Sequence, residues 1–149
     1  MRFKHLLTAK AKTILCVDDE PFNLSILQCL LEDHFHVVTL ESGIQALDRV
    51  HEINPDLVLI DWMMPEMDGL QATTLIKQQM NIPVIMLSAR DDRKDIDFAL
   101  SHGLDDYITK PFDEESLFAS LNKFFGVNEQ NKDPLPATAT SERKVSNGL

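Results

Sequence analysis

The chain has 149 residues, 44% of them hydrophobic, and a formal net charge of −10, which is most simply one domain with enough apolar material for a core. No run approaches the roughly 18 to 20 apolar residues of a membrane span, and Met1 to Lys12 is basic without the apolar stretch of a signal peptide, so a cytoplasmic protein with no membrane contact is expected. Residues 13 to 126 hold nearly all of the acids and half of the bases; such a globule repels a phosphate backbone, which excludes direct nucleic-acid binding from the expected functions and favours cationic partners.

Residues 1–11 read as an N-terminal extension and residues 12–126 as the folded domain. Ile14-Leu15-Cys16-Val17 is the first of four short apolar runs that stop on a residue able to do chemistry, here Asp18-Asp19. Apolar runs of this length between polar residues read as buried strands of a parallel sheet. Glu20 to Phe35 predicts a helix, with Pro21 in its first turn and an apolar face of Phe22, Ile26, Leu27, Leu30 and Leu31. His36 to Leu40 is a short strand. Ser42 caps a helix carrying Ile44, Leu47 and Val50, which ends before Asn54-Pro55. Leu57-Val58-Leu59-Ile60 then ends on Asp61; a loop over Trp62 to Gly69 leads to a helix over Leu70 to Met80, stopped by Asn81-Ile82-Pro83.

Val84-Ile85-Met86-Leu87 ends on Ser88, and Asp91 to His102 predicts a helix with an acidic first turn and Gly103 as its stop. Tyr107-Ile108-Thr109 ends on Lys110, which precedes Pro111, a bond type that also adopts cis and turns the chain sharply. Asp113 caps the last helix, Phe112 staples against Leu117, and Leu117, Phe118, Leu121, Phe124 and Phe125 form a wide apolar face. From Val127 the chain turns to Asn, Pro, Thr, Ala and Ser, so residues 127–149 read as a disordered tail or linker. Cys16 and Cys29, one in a strand and one in a helix, read as small buried hydrophobes rather than disulfide partners or metal ligands.

Five strands alternating with five helices imply an α/β fold, a doubly wound five-stranded parallel sheet with right-handed crossovers and helices on both faces. Ligands of such sheets bind beyond the carboxyl ends of the strands. Three acids, a hydroxyl and an amine therefore converge on one edge. Asp18, Asp19 and Asp61 crowd negative charge that a cation relieves, and Mg²⁺ prefers oxygen ligands, often with one or two carboxylates plus water and substrate oxygens. Lys110 supplies a point charge for phosphoryl oxygens and Ser88 a hydrogen bond to one of them. Taken singly, each residue has a plainer reading, as a helix cap, a turn serine or a solvated lysine; Glu20 keeps that reading.

The set Val17-Asp18-Asp19-Glu20, Leu59-Ile60-Asp61-Trp62-Met63-Met64-Pro65-Glu66-Met67-Asp68-Gly69, Leu87-Ser88-Ala89 and Tyr107-Ile108-Thr109-Lys110-Pro111-Phe112 resembles the receiver domain of two-component response regulators, over about residues 12 to 126. The resemblance implies a flavodoxin-like sheet of order 2-1-3-4-5. It implies Asp61 as phosphoacceptor, attacking a phosphohistidine on a sensor histidine kinase or a histidine phosphotransfer protein. It also implies Mg²⁺ held by Asp19, Asp61 and the backbone carbonyl of Met63, with Asp18 acting mostly through water. Ser88 and Lys110 would hold the phosphoryl oxygens, and Tyr107 would follow Ser88 as a switch. Met63 and Arg90 occupy positions that tune phosphoryl lifetime in the family; an apolar Met63 shields the acyl phosphate, and a moderately long lifetime is expected. The readout face would comprise the Asp91 to His102 helix, the Tyr107 strand and the final helix.

Such a chain catalyses only its own modification. A phosphohydrolase of the haloacid dehalogenase type shares the chemistry but not the chain order, since its nucleophile comes first and carries an acid two residues later, where this chain has Met63. A receiver used as an unphosphorylated scaffold is the other alternative, weakened by the complete site. No effector pattern follows residue 126, so the expected readings are a stand-alone receiver acting on a downstream effector protein, or a fragment whose output domain is missing. Homodimer formation on phosphorylation is left open. Trp62, beside the acceptor, reads as a partly packed tryptophan and a convenient spectroscopic reporter.

Overall fold

The structure, a computed structural model, describes residues 12–126. The expected extension and tail lie outside the described residues. Five strands, β1 (Thr13–Val17), β2 (His36–Leu40), β3 (Leu57–Ile60), β4 (Val84–Ser88) and β5 (Asp106–Thr109), alternate with five helices, α1 (Pro21–Leu31), α2 (Gly43–Ile53), α3 (Gly69–Gln79), α4 (Arg93–Ser101) and α5 (Glu114–Phe125). All strand pairs are parallel and the order is β2-β1-β3-β4-β5, the expected doubly wound sheet. No helix among the described residues is long and apolar enough to cross a membrane.

Strand residues alternate between two separate cores, as the pleat requires. Leu15, Val17, Val58, Ile60, Val84 and Met86 meet Ala46, Val50, Ala72, Ile76 and Ala99 from α2, α3 and α4. Ile14, Cys16, Leu57, Leu59, Ile85 and Leu87 meet Leu24, Leu27 and Leu31 of α1 and Leu117, Phe118 and Leu121 of α5. Because both faces of the sheet are covered, the central strands are apolar without alternation, which is why they were legible as unbroken runs.

All the helices but α1, which opens on Pro21, start at a side-chain cap. Ser42 Oγ accepts from Gln45 N, Asp113 accepts from Ser116 N, and Asp68 with Gln71 forms a reciprocal capping box that starts α3 at Gly69. Two helices are shorter than their periodicity predicts. α4 begins at Arg93, not Asp91, because the Asp92 side chain accepts from Lys94 N and takes the cap position. α1 ends at Leu31 rather than Phe35; His34 N and Phe35 N both donate to Leu31 O, closing a turn that carries Phe35 into the core.

The face of α1 also differs from expectation. Phe22 is 72% exposed and Ile26 38%, while Leu24, absent from the expected stripe, is buried with Leu27 and Leu31. Cys29 is likewise exposed, against the expectation of a buried thiol. The cause is helix rotation: α1 has so many apolar residues that periodicity admits two faces, and contact with β1 and β2 selects one.

Candidate functional site at the carboxyl edge of the sheet

Strand register brings the expected residues to one edge. Val17 pairs with Ile60, so Asp18 and Asp61 leave their strands side by side, and Asp61 N donates to Val17 O at 3.0 Å. Ser88 pairs with Thr109, and the next residue, Lys110, donates its backbone N–H to Ser88 O at 2.8 Å. The Lys110-Pro111 peptide is cis.

Lys110 Nζ stands 3.1 Å from Asp18 Oδ2 and 3.7 Å from Asp61 Oδ2. Asp18 is 2% exposed. Its Oδ1 accepts from Glu20 N at 2.9 Å and its Oδ2 also accepts from Asn23 Nδ2 at 3.2 Å. A buried carboxylate is tolerated only with such partners. Asp61 Oδ1 accepts from Trp62 N at 2.8 Å. Burial raises the Asp61 pKa above the usual aspartate range; Lys110 opposes this, and the charges of Asp18 and Asp19 add to it.

One carboxylate oxygen from each of Asp18, Asp19 and Asp61 lies within 4.8 Å of the other two. The set fits a hard divalent cation: three converging oxygen donors, excess negative charge and an acceptor whose charged form is disfavoured while the charge is uncompensated. Met63, the expected carbonyl donor, is 55% exposed.

Ser88 is fully buried, and its Oγ accepts from Arg90 N at 3.2 Å. Tyr107 donates its hydroxyl to the Arg90 carbonyl at 2.7 Å, and burial raises its pKa. Arg90 does not reach into the acid cluster as a side chain paired with Asp18 or Asp61; its guanidinium lies over the Trp62 ring, 4.2 Å from the centroid. Trp62 is 5% exposed and meets Tyr107 edge-on at 6.2 Å. The expected partly packed tryptophan is thus almost fully enclosed.

Sequence reasoning gave no role in the site to Asn23 or Gly69, and read Trp62 only as a partly packed reporter. Asn23, on the first turn of α1, supports Asp18 but looks like any polar helix residue. Trp62 joins the acceptor to Arg90 and Tyr107. Gly69 lets α3 approach: its N–H donates to Trp62 O at 2.7 Å, and a Cβ there would fall 2.0 Å from the Asp61 carbonyl oxygen.

A family model for the response regulator receiver domain matches residues 14–122. The sensor protein GacS of Pseudomonas syringae pv. syringae is 39% identical over 135 residues, covering 86% of this chain and 15% of that protein. The DNA-binding response regulator MtrA of Mycolicibacterium smegmatis is 37% identical over 117 residues, covering 78% of this chain and 51% of that protein. The chain spans about half the length of the one curated relative and under a fifth of the other. Among solved structures, the receiver domain of Francisella response regulator 1452 superposes with a TM-score of 0.72 at 33% identity, covering 77% of this chain and 97% of that one. The receiver domain of sensor histidine kinase PA1611 from Pseudomonas aeruginosa PAO1, solved with a magnesium ion coordinated in its active-site cleft, has a TM-score of 0.71 at 32% identity and covers 77% of this chain and 98% of that one. By fold, by family match and by the order of its strand-end residues, this chain belongs to the response regulator receiver domain family of two-component signalling.

Proposed function

We propose that this chain is a phosphoacceptor switch, with Asp61 as the residue modified. The observation that carries the reading is Lys110 Nζ seated between Asp18 and Asp61, with Asp19 completing a three-carboxylate cluster. An Asp61 carboxylate oxygen attacks the phosphorus of a phosphohistidine. The P–N bond breaks with its electron pair passing to the imidazole, and an acyl phosphate forms on Asp61. Little covalent chemistry is asked of the protein, so alignment and charge compensation do most of the catalysis. Asp18, Asp19, Asp61 and the Met63 carbonyl would hold Mg²⁺, which when bound neutralises charge on the phosphoryl oxygens. Lys110 compensates the same oxygens from the β5 side, and Ser88 donates to one of them.

The donor is a sensor histidine kinase or a histidine phosphotransfer protein, in a cytoplasmic setting. Sensor kinases and DNA-binding regulators among the relatives support that placement in a relay. The phosphoryl group adds negative charge and acceptor oxygens, drawing in Ser88 and its loop; Tyr107 follows, and the face formed by α4, β5 and α5 changes for an effector or a second copy of the chain. Sustained ester hydrolysis is disfavoured because position 63, two residues past the acceptor, is Met and offers no general acid. The apolar side chain of Met63, two residues past the acceptor, favours a moderately long phosphoryl lifetime, and Arg90 occupies the second position that tunes it.

Acetyl phosphate with Mg²⁺ tests the assignment. Wild type is expected to gain one phosphoryl group by intact mass and Asp61→Asn none, with no sustained release of product from a chromogenic phosphate ester. Equal labelling of both proteins would move the acceptor elsewhere.

A further inference from the structure

α1 carries no charged side chain along its length, although charged residues make up 26% of the chain. One of its faces is open: Phe22 is 72% exposed and Ile26 38%, and Cys29 is exposed as well. The three stand at i, i+4 and i+7, which makes them a single stripe along the helix, and none belongs to either core. Acids bracket that stripe. Asp19 and the exposed Glu20 precede the helix, and the exposed Glu32 and Asp33 follow it.

The segment before β1 has the complementary pattern. Residues 1–12 hold Arg2, Lys4, Lys10 and Lys12 and no acid, with Leu6 and Leu7 between Lys4 and Lys10 and Phe3 beside Lys4. The segment joins the domain next to the end of α1, where His36 N donates to Lys12 O at 2.9 Å, shortly after Asp33. From Lys10 back to Lys4 an extended chain reaches about 20 Å, and from Glu32 back to Glu20 the helix rises about 18 Å. The bases can therefore meet both acidic ends while the leucines fall over the stripe and Phe3 comes to Phe22. Exposed ion pairs contribute little singly, but a short tether supplies an effective concentration on the order of millimolar, so a weak contact is populated.

We propose that the open face of α1 is a docking surface for this chain's own residues 1–11, with Leu6 and Leu7 on the Phe22–Ile26–Cys29 stripe and the bases on the acids at its two ends. Opposite charge brings the segment in, and burial of apolar surface that would otherwise face water holds it. Phe22 follows Asp19 by three residues, so the covered stripe borders the acid cluster, and any partner that uses this stripe must first displace the segment. The contact goes beyond the phosphoacceptor reading and stands whether or not Asp61 is the residue modified.

Cys29 lies on the stripe and reports the contact without any label being introduced. Cys16 stays silent, because it is fully buried and its thiol is pushed up to about 12. The test is the rate at which the full chain takes up a maleimide at neutral pH without Mg²⁺, followed by intact mass. Leu6→Ser with Leu7→Ser leaves every charge in place and is expected to label about threefold faster than wild type, the gain from losing a cover present about two-thirds of the time. Phe22→Ala, about two turns from Cys29 on the other side of the contact, is expected to label faster as well. Lys4→Gln with Lys10→Gln is expected to do the same; loss of nearby positive charge by itself lowers the thiolate fraction and slows labelling, so it cannot imitate the gain. A variant that misfolds exposes Cys16 and shows a second label, and the other two then decide. Equal rates in wild type and the leucine variant overturn the proposal. So does a gain that Phe22→Ala does not share, which would seat the segment elsewhere, and so does protection that grows with protein concentration, which would make the occupant a second copy of the chain.

Discussion

At Asp61 opposing effects meet, and burial prevails. Burial and the neighbouring carboxylates favour its protonated form, Lys110 and the Trp62 N–H its charged form, and the balance lies above the usual aspartate pKa. Unfolding returns the group to water and its ordinary value, about 3.9. Between that value and the raised one the folded chain holds the extra proton, so stability falls as pH rises through the window and stays low above it. In the absence of Mg²⁺, Asp61→Asn is therefore expected to melt at a higher temperature than wild type at pH 7, with the difference shrinking as pH is lowered toward the ordinary aspartate range. Thermal denaturation by circular dichroism checks this; an Asn variant that melts lower at pH 7 would contradict the account. That Asp61 ends a strand was legible in the sequence, whereas the direction of its pKa needed the distances to Lys110 and the other acids. Cys16 shows the same division. Its strand position read as buried, and burial, with Asp18 adding to it, pushes the thiol up to about 12, whereas Cys29 read the same way and is exposed.

At the scale of elements, α3 sets the position of the acceptor loop. It starts at Gly69, whose N–H reaches Trp62 O and whose missing Cβ leaves room for the Asp61 carbonyl. The clash an alanine would create is with backbone, which cannot swing aside as a side chain can. Gly69→Ala is expected to cost about 2–4 kcal/mol in a urea unfolding series and to weaken Mg²⁺ binding by displacing Asp61. A cost under about 0.5 kcal/mol would mean that the helix shifts freely, contrary to the packing of Ala72 and Ile76 against the sheet. Strand and helix identities were legible because each carries its own periodicity, and most of the helices their own cap. The ends of α1 and α4 were not, since the apolar Phe35 prolonged the helical pattern past the true turn and Asp91 and Asp92 read as an acidic first turn when Asp92 is the cap.

At the scale of the molecule, two cores on opposite faces of the sheet hold most of the large apolar side chains of the described residues, and Phe22 is among those left outside both, with Ile26, Ile44, Met63, Phe98 and Leu100. Leu27→Ala should cost about 2–4 kcal/mol through lost transfer energy and a cavity, whereas Phe22→Ala should stay within about 0.5 kcal/mol. Paired urea melts check the contrast, and a large loss at Phe22 would return it to the core. The order of elements, the covered faces of the sheet and the acids, hydroxyl and amine at the strand ends were determined by the sequence itself, because periodicity, caps and short apolar runs are local properties. Which groups then touch was decided only by the tertiary structure. The register of β1 with β3 places Asp18 beside Asp61, that of β4 with β5 brings Lys110 to Ser88, the rotation of α1 buries Leu24 instead of Phe22, and the seat on Trp62 takes the Arg90 side chain. Each of these depends on how distant segments align, and no local pattern carries that information.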